Sequence, residues 1–284
     1  MLKRICNFMP VFSIIIPTYN RPHMLNRAVI SAVNQTFREI EIIVVDDGSN
    51  PPVSFNSPKC NDKIVLVRNH TNSGASFARN CGIKLARGKY ISFLDDDDEY
   101  LPNFIDSTYH VLKNTPPNVG FSWCSANIIN YDKHNNSNNT VTKRVFSDIY
   151  LSLTKLFEET LSIGAGFGLT IKKECLENIG LFNKHLCTVE DTDLFLRLLI
   201  NNFTPCIIKD IHINIHNHHE NRLTGISRHR TRISECDWLL TQYKDFFTNY
   251  PTLSEQLQNQ ITFLRNELDS YRIMYRNYAI ANNV

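Results

Sequence analysis

Four consecutive aspartates, Asp95–Asp98, follow directly on the apolar run Tyr90-Ile91-Ser92-Phe93-Leu94. Adjacent carboxylates repel, and at the end of a buried strand they destabilise the fold unless positive charge neutralises them. In extended chain Asp95 and Asp97 point the same way, because side chains alternate. Two carboxylates side by side at a crevice suit a hard divalent cation with oxygen ligands, Mg²⁺ or Mn²⁺. The alternative is a solvated acidic turn, which is what most acidic runs are. A calcium EF-hand does not fit, since the glycine at the sixth loop position and the terminal glutamate are missing.

The first hundred residues alternate between two periodicities. Val11–Ile16, Glu41–Asp46, Ile64–Asn69 and Lys89–Asp95 are short runs rich in β-branched residues and read as strands. Leu25, Ala28, Val29, Ala32 and Val33 recur at helical spacing between Pro22 and Asn34, and Ala75, Ala78, Gly82, Leu85 and Ala86 give a second helix stopped by Gly88. This order predicts an α/β fold with a Rossmann-like, mainly parallel central sheet flanked by helices. Ligands of such sheets bind outside the carboxyl ends of the strands. Thr18–Arg21, Asp46–Ser49 and Asp95–Glu99 should therefore converge on one face.

Further on, helices are expected near Asn103–Lys113, at 148–160 and over Asp191–Asn202, with a short one ended by Gly180. Val119–Tyr131 reads as strand, and the Asn-rich stretch after it as an exposed hairpin tip or mobile loop. From about Ser234 the chain reads as helical to the end, with a break near Pro251. No element is assigned between Asn202 and Ile215.

Lys plus Arg total 30 and Asp plus Glu 28 of 284 residues, so no global basic field exists for duplex nucleic acid. No apolar stretch is long enough to span a bilayer. The N-terminal run is broken by Asn7, Pro10 and Ser13, and reads as a lead into the first strand, not a secretion signal. None of the eight cysteines lies in a CxxC pair, which points to free thiols in a reducing cytosol.

Three further segments carry candidate chemistry. An acid at a strand's carboxyl end, as in Val45-Asp46-Asp47-Gly48-Ser49, accepts hydrogen bonds from a nucleobase or ribose, although Asp-Gly is also ordinary turn chemistry. Pro17-Thr18-Tyr19-Asn20-Arg21 stands where a dinucleotide-binding protein carries its glycine-rich loop; Tyr19 offers a ring for base stacking or for packing. Asp191 opens a helix, where the macrodipole favours an acid.

These segments together resemble the family 2 glycosyltransferases of the GT-A fold. The resemblance is carried by PTYNR, VVDDGS, GASFARNCGI, FLDDDD and VEDTDLFLR in order, over roughly residues 11–200. It implies residues 1–215 as a nucleotide-sugar-binding catalytic domain, and 216–284 as an active-site loop with a C-terminal helical region. By resemblance, Pro17, Thr18 and Tyr19 meet the uracil of a UDP-sugar, with Asp47 at the base edge and Asp46 assisting. Arg79 approaches the nucleotide. Asp97 holds Mn²⁺ or Mg²⁺ most directly, and Asp95 or Asp96 faces the ribose, Asp95 also serving as a metal ligand. Asp191 matches the catalytic base. A single base implies one displacement and inversion, giving a β-linkage from an α-linked donor. Glu190, His216, His218, His219 and Arg222 become candidate contacts to the diphosphate or acceptor. Zinc does not suit the histidines, since no cysteine completes a site.

Bacterial relatives of this size imply a glycan acceptor, undecaprenyl-diphosphate-linked, in O-antigen or capsule synthesis at the inner face of the cytoplasmic membrane. Arg222, Arg228, Arg230 and Arg232, with His229, form a run without acids from Asn221 to Ser234, which suits a lipid diphosphate, an anionic surface or a solvated helix face. The C-terminal aromatics, among them Tyr243, Phe247, Tyr271 and Tyr275, are read as packing on the domain or on a second subunit in a homodimer. Two rivals stand beside this reading. A sugar-nucleotide nucleotidyltransferase needs a glycine-rich phosphate loop that PTYNR lacks. A non-catalytic nucleotide-sugar-binding module has no use for Asp191.

Overall fold

The computed structural model describes residues 9–54, 63–131, 139–147, 152–217 and 226–281. The first half runs β1 (Phe12–Thr18), α1 (Pro22–Val33), β2 (Ile40–Asp46), β3 (Ile64–Arg68), α2 (Ala75–Leu85), β4 (Tyr90–Phe93), β5 (Glu99–Tyr100) and α3 (Phe104–Leu112). The second runs β6 (Val119–Asn130), β7 (Thr140–Arg144), α4 (Leu153–Ser162), β8 (Thr170–Lys172), α5 (Lys173–Ile179), α6 (Glu190–Ile200) and β9 (Thr204–Asn217). The helices α7 (His229–Gln242), α8 (Lys244–Asn249) and α9 (Pro251–Ala281) close the described chain.

One sheet holds all the described strands, in the order β3-β2-β1-β4-β8-β6-β9-β5, with β7 beside β6. The four strands β3, β2, β1 and β4 are parallel, and the long β6–β9 pairing is parallel too. Antiparallel pairing enters only through the short strands β8, β5 and β7. The sheet is thus mostly parallel, and its first half is wholly so, as the alternation of strand and helix predicted.

Period-two alternation divides the core between the two faces of the sheet. Ile14 and Ile16 of β1 join Ile40, Ile42 and Val44 of β2 on the face covered by α1, through Leu25, Ala28, Val29 and Ala32. Ile15, Ile43 and Val45 point the other way and meet Ala78 and Ile83 of α2. A strand buried on both faces reads as a continuous apolar run, which is why β1 and β2 were legible. The second core extends across β6 and α6 to Cys236, Leu239, Phe247, Leu253, Leu257 and Ile261, so the C-terminal helices share it.

The strand β9 is where the sequence reading fell short. Ile211, Ile213 and Ile215 alternate with His212, Asn214 and His216, a period-two signal, but irregular register opposite Cys124–Ala126 breaks the alternation of burial earlier in the strand. Helix α7 also starts at His229, ahead of the expected Ser234, so Arg230 and Arg232 lie within it. Cys81, Cys124, Cys175, Cys187, Cys206 and Cys236 are free thiols. Among the described residues no helix is long and apolar enough to cross a membrane.

Candidate active site

The carboxyl ends of β1, β2 and β4 meet as the parallel topology requires. Thr18, the last residue of β1, is buried and donates its hydroxyl to Asp96 Oδ2 at 2.7 Å. Arg21, just before α1, donates to Asp96 Oδ1 at 3.1 Å and to Asp97 Oδ2 at 2.9 Å. Arg27 of α1 reaches the Asp97 carbonyl at 2.5 Å. The backbone N–H of Asn20 donates to Ser49 Oγ at 2.9 Å, which joins the loops after β1 and β2. Pro17 pairs with Val45 in the ladder, and the Tyr19 ring stands at the rim, 43% exposed.

Asp46 and Asp47 are both buried, and their carboxylates organise backbone. Asp46 accepts from the N–H groups of Ser49 and Val53 at 2.9 and 3.2 Å. Asp47 accepts from Asn69 Nδ2 at 2.7 Å, and from the N–H groups of Ser73 and Gly74 at 2.9 and 2.7 Å. Gly74 is the N-cap of α2, so Asp47 ties the end of β2 to the helix that carries Arg79.

Arg79 is the electrostatic centre of the cleft. Its side chain is 4% exposed; the guanidinium lies over the Phe182 ring, and donates to Asp95 Oδ1 at 2.9 Å and to Glu190 Oε1 at 3.0 Å. Asp191 Oδ1 is 3.8 Å away. Burial opposes the charge, but Asp191, Asp95 and Glu190 together outweigh it and hold the arginine pKa above its ordinary value. A side chain this enclosed acts here as a strut between the end of β4 and the start of α6. Burial, and then the charge of Asp191, push the Glu190 carboxyl up, against the pull of Arg79.

The aspartate run divides its tasks. One carboxylate oxygen from each of Asp95, Asp97 and Asp98 lies within 4.8 Å of the others. Asp98 is buried and accepts the His216 N–H at 2.9 Å. It was not assigned from the sequence, although four aspartates in a row were the signal; which of them converge depends on the turn after β4, where the Asp98 N–H bonds back to the Asp95 carbonyl at 3.1 Å. Burial raises the pKa of Asp95, Asp96 and Asp98, Asp96 to about 6, and the Asp97 charge adds to each. Among the described residues, Arg21, Arg27 and Arg79 are arginines that contact this group of seven acids, Asp95–Asp98, Glu99, Glu190 and Asp191. An excess of hard oxygen donors with raised pKa values is a setting that a divalent cation of the Mg²⁺ or Mn²⁺ type fits.

A glycine-containing loop, 164–168, passes directly over these carboxylates. A Cβ added to Gly166 would lie 2.9 Å from Asp95 Oδ2 and 3.2 Å from Asp98 Oδ2, and one added to Gly164 2.8 Å from Asp191 Oδ2. His216, at the end of β9, is buried; Nε2 lies 2.8 Å from Glu99 Oε2, and Nδ1 2.5 Å from the Tyr131 hydroxyl. Burial lowers its pKa. His218, His219 and Arg222 lie outside the described residues.

Comparison with known proteins gives the family and the fold. The Glycosyl transferase family 2 model matches residues 13–180. A glycosyltransferase of Rickettsia prowazekii is 34% identical over 190 residues, covering 67% of this chain and 59% of the relative. The chain spans 66% of a Haemophilus influenzae glycosyltransferase that is 31% identical. WfaP of Escherichia coli, a UDP-Glc:α-D-GlcNAc-diphosphoundecaprenol β-1,3-glucosyltransferase, is 39% identical over 106 residues, 37% of this chain and 42% of WfaP. Among solved structures, S. aureus TarS 1–349 in complex with UDP-GlcNAc superposes with a TM-score of 0.61 at 17% identity, covering 81% of this chain and 66% of TarS 1–349. These matches establish the GT-A-type α/β fold, and the chain belongs to glycosyltransferase family 2.

Proposed function

We propose that this protein transfers a sugar from a UDP-sugar to a hydroxyl of a lipid-diphosphate-linked glycan, with inversion at the anomeric carbon. The observation that carries the reading is the bridge made by Arg79: its guanidinium contacts Asp95, of the cation-type carboxylate cluster, and lies within 4 Å of Asp191, the candidate base. The two halves of a glycosyl transfer site are thereby one arrangement.

In this reading Tyr19 stacks on the uracil, and the loop shaped by Asp46 and Asp47 meets the edge of the base. Thr18 orients Asp96, and Asp95 or Asp96 faces the ribose. Asp97, Asp95 and Asp98 would hold the divalent cation, which when bound supplies positive charge beside the leaving diphosphate. Asp191 takes the proton of the acceptor hydroxyl as its oxygen bonds to the anomeric carbon. The bond from that carbon to the diphosphate oxygen breaks on the opposite side, and the electron pair leaves with UDP. The transition state is oxocarbenium-like, as in glycoside hydrolysis.

WfaP acts on an undecaprenol-diphosphate-linked GlcNAc, which supports a lipid-linked acceptor of the O-antigen or capsule kind. Such a substrate places the enzyme peripherally at the cytoplasmic membrane face. The test is a panel of UDP-sugars with synthetic GlcNAc- and GalNAc-diphosphate-lipids and Mn²⁺, reading UDP release and the anomeric configuration of the product. A β-linked product formed only with Mn²⁺ or Mg²⁺ is expected. A product retaining the donor's configuration, or transfer indifferent to chelation, overturns the reading.

A further inference from the structure

Helix α6 begins without a local cap. Its N-cap residue is Val189, which makes no side-chain capping bond. The first turn nevertheless carries Glu190 and Asp191 and has to be held in place. Arg79 holds Glu190, and the backbone on either side is held from the C-terminal helices. Glu235, buried in the middle of α7, accepts the Cys187 N–H at Oε1, 2.8 Å, and both the Thr188 N–H and the Thr188 hydroxyl at Oε2, 2.9 and 2.6 Å. One carboxylate thus fixes the two residues that precede the N-cap. On the other side of Asp191, the Tyr243 hydroxyl donates to Asp193 Oδ1 at 2.5 Å, while Arg197 donates to Asp193 Oδ2 at 2.9 and 2.7 Å. Asp191 therefore sits in a segment clamped three residues before it and two after it, both times by a side chain more than forty residues away.

We propose that Glu235 and Tyr243 are positioning residues for the transfer reaction: they act through Asp191, by fixing the backbone from Thr188 to Asp193 from which it projects. This rests on reading Asp191 as the base. Charge-assisted bonds to backbone N–H groups are stronger and more directional than neutral ones. A misplacement of a reacting group by about 1 Å costs on the order of 100-fold in rate. Helices α7 and α8 are then part of the catalytic apparatus although neither supplies a reacting group.

The experiment uses the full chain with UDP-glucose, Mn²⁺ and a synthetic GlcNAc-diphosphate-lipid. Glu235→Gln keeps the volume but removes the charge and sets an amide NH₂ against one of the two backbone N–H donors; Tyr243→Phe removes one hydroxyl. Each is expected to lower kcat about 10- to 100-fold, to leave KM for UDP-glucose unchanged, and to speed amide hydrogen exchange at residues 188–193. In an Asp191→Asn background Glu235→Gln is expected to lower the residual rate no further, since the group it positions is gone. Wild-type kcat and exchange in both variants, or an equal loss of rate with and without Asp191, overturns the proposal. Should Glu235→Gln not fold, Tyr243→Phe carries the same test. If Asp191→Asn itself retains full activity, the base assignment falls, and the exchange measurement still decides whether Glu235 and Tyr243 hold the segment.

Discussion

Arg79 Nη2 lies 2.9 Å from Asp95 Oδ1, and the same guanidinium reaches Glu190 through Nη1 at 3.0 Å. A single buried cation thus joins the end of β4 to the start of α6. Removing it leaves three carboxylates, the buried Glu190 among them, facing one another without their shared cation. Arg79→Met is expected to destabilise the fold by about 3–5 kcal/mol, the cost of breaking a buried pair from one side. Arg79→Lys keeps the charge without the planar fork, so it reaches one arm of the bridge and falls between. Urea unfolding midpoints decide this; an Arg79→Met protein as stable as wild type contradicts the strut.

Glu190 and Asp191 are neighbours with different surroundings. Burial and the Asp191 charge favour a proton on Glu190, while its Oε1 still accepts from Arg79. Glutamine keeps an acceptor oxygen for Arg79 without the charge. Glu190→Gln should therefore stay within about 10-fold of wild-type kcat, whereas Asp191→Asn should lose about 100- to 10,000-fold, the contribution of a general base. Equal losses in the two variants count against assigning the base to Asp191.

Much of this was legible because buried parallel strands write themselves as apolar runs, and the acids stand directly behind them. Thr18–Arg21, Asp46–Ser49 and Asp95–Glu99 could be placed on one face before any contact was known. Contacts that depend on how a turn closes were not legible: Asp98 rather than Asp96 completing the trio with Asp95 and Asp97, and Arg79 enclosed by three acids. Nor does a helix interior announce that one glutamate, Glu235, looks back at a loop 47 residues away.

Asp97 and Asp98 belong to the cation-type cluster, and their neutral variants test it. Ligand charge sets affinity at oxygen sites, so Asp97→Asn and Asp98→Asn should each weaken Mn²⁺ binding in the presence of UDP by at least about tenfold. Titration calorimetry reads this directly. Unchanged Mn²⁺ affinity in Asp98→Asn would return that residue to a purely structural role at the His216 N–H.

Gly166 tests the same cluster from above. Its missing Cβ leaves room for Asp95 and Asp98, which a methyl would approach to 2.9 and 3.2 Å. The clash falls on the ends of side chains, so the backbone need not move. Gly166→Ala should keep the unfolding midpoint near wild type while turning both carboxylates and lowering Mn²⁺ affinity. Gly164→Ala should do the same to Asp191, lowering kcat with cation binding intact. Loss of stability without loss of function in either variant contradicts the close approach.

The last prediction concerns pH without divalent cation. Burial first, and then Asp97, raise the Asp96 carboxyl to about 6, against Arg21 and Thr18. Its ordinary value is 3.8, so between about 4 and 6 the folded protein binds more protons at this site than the unfolded chain. The stability contributed by neutral Asp96 is full below the unfolded pKa and is lost as pH rises through about 6. At roughly 1.4 kcal/mol per pKa unit, the site is worth at most about 3 kcal/mol across that window. Asp96→Asn has no such dependence. With chelator present, the variant's stability relative to wild type should improve from pH 4.5 to pH 7.5. Urea midpoints at the two pH values measure it, and a relative stability that worsens with rising pH would show Asp96 to be favoured as the ion.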